Sequence, residues 1–135
     1  MIEDRHFQQL LLAAADQPEP QRLLFVFARA DLPDHPTPEQ RDRFLAGRGG
    51  ALTPLMCVDK APADLADFQA LLAESRRAGP PWQVVFAASL PGAEGRPPTQ
   101  AQIGPALEKM INAVWVGSVG QFAAYNPSGD PLTLG

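Results

Sequence analysis

The sequence predicts one α/β domain, with a mostly parallel sheet of about four to five strands, helices on both faces and a C-terminal antiparallel hairpin. Segments of strand length alternate with segments of helical periodicity, in the order α-β-α-β-α-β-α-β-β. The strand segments are apolar on both faces, which is typical of strands covered by helices on both sides. Strands joined by helices usually run parallel, so we expect three parallel strands before the hairpin. The 135 residues fit a single domain over residues 1–135.

An amphipathic helix opens the chain. Within residues 2–15, the apolar side chains recur at the spacing that brings them to one helix face, namely Phe7, Leu10, Leu11 and Ala14. The two prolines of residues 17–20 end this helix, because proline lacks a donor and excludes the helical conformation before it. Residues 22–29 then predict a strand that is apolar on both faces and therefore central in the sheet.

Two further helix–strand units follow. A proline-rich polar loop leads to a short helix capped by Thr37, with Gln40 at the capping-box position. Residues 52–58 predict the second strand. A third helix is expected from near Pro62, and residues 82–89 predict the third strand, which is again apolar on both faces.

The C-terminal part predicts a capped helix and then a hairpin. Thr99 is expected to cap the fourth helix, with Gln102 at the capping-box position. Residues 122–125 are expected to pair with residues 132–134. The turn between them contains a proline, and Gly129 can adopt the left-handed conformation that ends such a turn.

Composition excludes several classes of protein. The net charge is −4 and no basic stripe is interleaved with aromatic residues, which argues against a nucleic-acid partner. The longest apolar runs are too short to span a bilayer, and the N-terminus lacks the basic start of a signal peptide. Cys57 is the single cysteine, so no intramolecular disulfide can form. We expect a cytoplasmic protein that contacts neither membrane nor nucleic acid.

The predicted fold, rather than a motif, suggests a ligand site. In open α/β sheets, ligands bind beyond the carboxyl ends of the parallel strands. Three predicted loops carry polar side chains there, namely Asp31, Asp34, His35, Asp59, Lys60, Ser89 and Arg96. Any such sheet has polar residues at this end, so the loops predict a cleft without specifying its chemistry.

No group of residues in the sequence indicates catalysis. Asp34 and His35 can form an acid–base pair, but the prolines that flank them favour a solvated turn. Cys57 lies between apolar residues of a predicted strand, which favours a core thiol over a nucleophile. The chain lacks the closely spaced ligands of a zinc site, and its two glycine-rich segments lack the Lys-Ser/Thr of a phosphate-binding loop. We therefore expect no metal and no cofactor.

Three stretches carry a resemblance to a known family: LLFVFARADLPDHPTPEQRDRF, GGALTPLMCVDKAPADL and AAYNPSGDPLTLG. Together they make nearly the whole chain similar to a family of small bacterial proteins of no established role, often labelled ribonucleotide reductase subunit alpha. A catalytic reductase subunit needs several cysteines and a much longer barrel domain, and this chain has one cysteine. The resemblance therefore implies a family but no catalytic residues.

Two functions remain open at this stage. The one we favour is a non-enzymatic cytosolic binding or regulatory module that acts through protein–protein contacts, with an unknown partner or with a second copy of itself. Its candidate interface residues are Trp115, Phe122 and Tyr125, because aromatic side chains dominate interface hot spots. The alternative is a small-molecule binder or enzyme that uses the predicted cleft.

Overall fold

A four-stranded antiparallel sheet forms the centre of the protein in the computed structural model, which describes residues 5–31, 37–39 and 51–133. Its strands are β1 (Gln21–Asp31), β2 (Ala51–Lys60), β3 (Val84–Pro91) and β4 (Ala123–Tyr125). Their order across the sheet is β2-β1-β3-β4. Each neighbouring pair is antiparallel.

The prediction of a mostly parallel sheet is wrong, because β1 lies between β2 and β3. Both of these strands run antiparallel to β1, so they run parallel to each other without sharing hydrogen bonds. The helical connection from β2 to β3 thus joins two strands of the same direction, but it passes over β1 instead of joining neighbours. The strand that follows β1 in the chain, β2, pairs directly with β1 in the antiparallel direction. Of the short helix predicted there, the structure describes Pro38 and Glu39, which are helical.

Three helices accompany the sheet in the described ranges: α1 (Arg5–Ala15), α2 (Phe68–Ala78) and α3 (Gln100–Trp115). The third predicted helix begins later than expected, because Pro62 starts only a single 3-10 turn. Asp67 then caps α2 by accepting a 2.9 Å hydrogen bond from the Ala70 N–H. At the start of α3, the Thr99 N–H donates to Gln102 Oε1 at 2.9 Å, as the capping-box spacing predicts.

The helices cover both faces of the sheet. Alternate side chains of β1 point to opposite faces, and every side chain from Leu23 to Ala28 is buried. Leu23, Phe25 and Phe27 share a core with α1 and α2, whereas the residues between them share a second core with α3. The pattern of apolar residues on both faces of β1 is explained by these two cores.

Four aromatic rings hold α1 and α2 against the first face. The Phe7 ring lies 5.3 Å from the Phe68 ring, 5.5 Å from the Tyr125 ring and 6.1 Å from the Phe25 ring, measured between centroids. The first two contacts are edge-to-face, which is a favoured arrangement of aromatic pairs. Phe7 thus links α1 to β1, α2 and β4 at once.

The C-terminal residues cover the outer edge of β4. The predicted turn is present, with Gly129 at φ 83° and the Asn126 N–H donating to the Asp130 carbonyl at 3.0 Å. The predicted returning strand is reduced to a single bridge between Tyr125 and Pro131, because proline has no N–H to extend the pairing. The Leu132 N–H still donates to the Ala124 carbonyl at 2.8 Å. Residue 134 lies outside the described part of the chain.

Among the described residues, none of the helices combines the length and the apolar character that crossing a bilayer requires.

Removal of the Phe7 ring is expected to destabilise the fold. Phe7→Ala should lower the free energy of unfolding by about 3–5 kcal/mol, because it leaves a cavity among the other three aromatic rings. Leu12→Ala on the same helix is the matched control, since the Leu12 side chain is 68% exposed. It should change stability by no more than about 0.5 kcal/mol. Urea denaturation of the two variants measures this difference in the free energy of unfolding. Equal losses of stability would contradict the packing of Phe7 in the first core.

Candidate functional site

The antiparallel sheet does not bring all the predicted cleft residues together. Asp59 and Lys60 end β2, and Ser89 lies near the end of β3, so these residues lie at the same end of the sheet as the start of β1. Asp31 ends β1 and lies at the opposite end. Lys60 pairs with Leu23, and Asp31 follows Leu23 by eight residues on β1. Asp31 and Lys60 are therefore separated by about 27 Å along the strand direction.

The remaining cleft residues lie after the ends of β1 and β3. Asp34 and His35 follow Asp31 and lie outside the described residues. Arg96 follows β3 in a tight turn, where the Arg96 carbonyl accepts from the Ala93 N–H at 3.0 Å. The structure therefore places Asp59, Lys60, Ser89 and Arg96 at one end of the sheet and Asp31 at the other.

The charged side chains at the end of β2 form ion pairs with residues of neighbouring elements. Arg22 Nε donates to Asp59 Oδ2 at 2.7 Å, and both side chains are partly buried. A second carboxylate, that of Asp64, lies 4.0 Å from the same guanidinium. Lys60 Nζ lies 2.7 Å from Glu74 Oε1 on α2. These pairs attach β2 to its neighbours, so the charges of Asp59 and Lys60, two of the predicted cleft residues, are neutralised within the protein.

Other polar groups near these ion pairs form hydrogen bonds within the protein. The Ser89 hydroxyl donates to Gln21 Oε1 at 2.7 Å, which ties the end of β3 to the start of β1. The Glu19 carboxylate accepts from the Gly95 N–H at 2.8 Å and fixes the turn after β3. Ser89 thus donates its proton to an amide oxygen, and an amide oxygen is no general base.

An open cleft of about 600 Å³ lies beside these pairs. Much of its wall is proline and alanine, with proline rings contributed by three different segments: Pro18, Pro20, Pro62 and Pro97. Its charged lining residues are Glu19 and Arg22, which already have partners within the protein. The cleft can accommodate a ligand by shape, but its charges are arranged for structural pairing.

Within the described ranges, no cluster of three or more His, Cys, Asp and Glu side chains could hold a metal ion.

Cys57 is exposed, and the prediction of a core thiol is wrong. The reason is the position of its strand. β2 is an edge strand, and Cys57 pairs with Val26, so its side chain points to the sheet face that carries α3. Met56 and Val58 point to the other face and pack against the first core. Apolar neighbours in the sequence therefore gave no information about the face on which the thiol lies.

The three predicted interface residues occupy different environments. Tyr125 is buried at 4% exposure between the rings of Phe7 and Phe68. Phe122 is half-buried and packs against Phe86 at 6.3 Å between ring centroids. Only Trp115, at 57% exposure, presents a large apolar surface to solvent. The structure therefore separates these residues into core and surface.

Sequence reasoning missed Val116, the residue after Trp115. Val116 is 77% exposed, the highest value among the large hydrophobic residues that the structure describes. One signal in the sequence could have drawn attention to it, because residues 110–129 contain no charged side chain although 19% of the chain is charged.

Comparisons with protein-family models, with curated proteins and with solved structures each gave no match. The resemblance to the small bacterial family stays a prediction.

The exposure of Cys57 predicts a reactive thiol in the native protein. One thiol per chain should react with a disulfide reagent such as Ellman's reagent, at a rate within roughly tenfold of that of the urea-unfolded chain. Cys57→Ser should abolish the signal. A native rate several orders of magnitude slower, limited by unfolding, would show that the thiol is buried.

Burial of Tyr125 predicts a loss of stability at alkaline pH. Desolvation raises the pKa of its hydroxyl above the ordinary value of 10.0. The unfolded chain therefore loses this proton first, so the stability contribution is complete below pH 10.0 and declines as pH rises towards the folded-state pKa. Tyr125→Phe should remove this part of the pH dependence.

Because Tyr125 is the single tyrosine, tyrosinate absorbance reports on it alone. We expect ionisation above the ordinary pKa while the protein stays folded. Titration at the ordinary value with native circular dichroism would contradict the burial of this hydroxyl.

Proposed function

We propose that the protein is a non-enzymatic cytoplasmic binding module that acts through protein–protein contacts. The observation that carries this proposal is an exposed, uncharged surface at the end of α3, which we call the terminal patch. It consists of Trp115, Val116, Gly117 and Ser118, all of which are exposed. Leu12 is the other large hydrophobic residue that is exposed in the described ranges, and it stands alone on α1.

The chemistry of the terminal patch is that of an interface core. The fully buried centres of protein–protein interfaces are depleted in charged residues and enriched in tryptophan. Trp115 supplies a large rigid ring at small cost in side-chain entropy, and the patch carries no charge that a partner must neutralise. An apolar and uncharged surface, on another protein or on a second copy of this chain, is the matching partner.

The backbone of the terminal patch is held in place. The Val116 N–H donates to the Asn112 carbonyl at 3.2 Å, and the Ser118 N–H donates to the Ala113 carbonyl at 2.9 Å. Gly117 ends the helix at φ 76°, a left-handed conformation in which a side chain would be strained. A partner therefore meets a surface whose ordering was completed on folding, which favours binding.

The alternative function has weaker support. A catalyst that uses the predicted cleft requires free polar groups, but Asp59, Lys60 and Ser89 each have a partner inside the protein. Binding by strand addition at the C-terminal edge also has weaker support, because the Leu132 N–H already donates to the outer edge of β4. Of these three surfaces, the helix end therefore has the strongest support as a protein-binding site.

Photocrosslinking tests the proposal. The photoreactive residue benzoylphenylalanine replaces Val116 in one full-length variant and Leu12 in a matched control, since both side chains are exposed and apolar. Irradiation of the cells that produce the protein should give one dominant protein adduct from position 116 and none from position 12. Trp115→Ala in the first variant should reduce that adduct, because loss of an interface tryptophan weakens binding by roughly 30-fold.

The outcomes decide whether the terminal patch is an interface. An adduct that is specific to position 116 and sensitive to Trp115→Ala supports the proposal, and its mass shows whether the partner is a second copy. Equal yields at both positions, or an adduct that persists in the Trp115→Ala variant, would refute it. Because Trp115 is largely exposed, the variant should keep the thermal stability of the parent.

A further inference from the structure

A second cavity lies on the other side of the sheet from α3, between the end of α2 and the C-terminal turn. Its volume is about 390 Å³, within the range of about 300–1,000 Å³ that is usual for ligand pockets. The lining residues are Leu72, Arg76, Gly79, Pro81, Trp82 and Pro127. We call this cavity the Arg76 pocket, and none of its residues belongs to the terminal patch or to the predicted cleft.

The apolar wall of the Arg76 pocket is fixed from inside the protein. Trp82 Nε1 donates to the Ser75 hydroxyl at 2.8 Å, and that hydroxyl donates to the Leu72 carbonyl at 2.7 Å. The indole nitrogen is thereby satisfied within the protein, so Trp82 offers the pocket no free donor. Leu72 and Trp82 belong to the first core, which holds both side chains in position.

The part of the lining that Pro127 contributes is also ordered before any ligand arrives. Pro127 lies in the C-terminal turn, where Asn126 Oδ1 accepts from the Ser128 N–H at 2.9 Å and from the Asp130 N–H at 3.0 Å. The proline ring itself has no rotatable side-chain bonds to restrict. A ligand between Trp82 and Pro127 therefore meets two rigid apolar surfaces.

Arg76 is the charged residue of this pocket. Its guanidinium makes no ion pair or hydrogen bond with the described residues, in contrast to Arg22 and Lys60 at the other site. None of the described residues that line the pocket is a carboxylate. An unpaired guanidinium offers a planar fork of donors that matches a carboxylate in a two-point contact.

We propose that the Arg76 pocket binds a small organic carboxylate with an apolar body. The carboxylate pairs with the Arg76 guanidinium, and the apolar body lies between Trp82 and Pro127. This inference is independent of the terminal patch, since it depends on other residues on the opposite face of the sheet.

The chain allows a selective readout of the proposed binding. It has two tryptophans, so Trp115→Phe leaves the Trp82 indole N–H as the single signal of its kind in an NMR spectrum. Phenylacetate is the probe, and phenylacetamide is its uncharged analogue. We expect phenylacetate to shift the Trp82 signal in a saturable manner, and phenylacetamide to bind roughly tenfold more weakly or worse, because it lacks the charge.

Two neighbouring arginines provide matched variants. Arg76→Gln should weaken phenylacetate binding roughly tenfold or more, whereas Arg77→Gln removes an exposed charge that does not line the pocket and should leave the affinity unchanged. The absence of a saturable shift would overturn the proposal. Equal losses in the two variants, or equal binding of the acid and the amide, would also overturn it, because either result removes the role of Arg76.

Discussion

The enclosure of β1 is the constraint on which the rest of the structure depends. Its side chains from Leu23 to Ala28 are all buried, with helices on both faces, and its two edges pair with β2 and β3. Residues 23–28 of β1 have no polar side chains that could bond to the backbone. Such a strand can be buried only when the N–H and C=O groups on both of its edges are hydrogen-bonded, and the two neighbouring strands supply those partners. The helices in turn need the two apolar faces of β1, so sheet and helices stabilise each other.

The sequence contained part of this arrangement. Apolar residues on both faces of residues 22–29 predicted a central strand covered on both sides, because burial on two faces leaves a direct trace in composition. Strand direction leaves no such trace. An antiparallel sheet between two helical layers has the same apolar pattern as a parallel one, and the choice here depended on where β3 pairs. It pairs with β1 rather than with β2, through contacts between residues far apart in the chain.

The same limit applied to the candidate sites. The predicted cleft combines Asp31 with Asp59 because it assumes that their two strands are parallel. β1 and β2 are antiparallel, so these residues lie at opposite ends of the sheet. Trp115 could be proposed as an interface residue from its type and its place at a helix end. The Arg76 pocket could not be proposed, because it forms only when the turn around Pro127 lies beside the end of α2. Turn chemistry predicted the local shape of that turn, including the conformation of Gly129, but not its neighbours.

Under the proposed function, the two edges of the sheet explain why a partner would use the helix end. At one edge, the chain's own C-terminal residues occupy the outer side of β4. At the other edge, Pro54 lies opposite Ala28, whose carbonyl accepts from the Gln83 N–H on the β3 side. The alternation of an antiparallel ladder then directs the Pro54 nitrogen away from β1, so the open edge of β2 lacks a donor at that point. The chain's own C-terminal residues thus cover one edge, and the proline removes one donor from the other, which disfavours strand addition there. The terminal patch carries neither a charge nor a covering segment within the described residues. Under the proposed function, a partner would therefore contact the apolar surface at the end of α3 rather than an edge of the sheet.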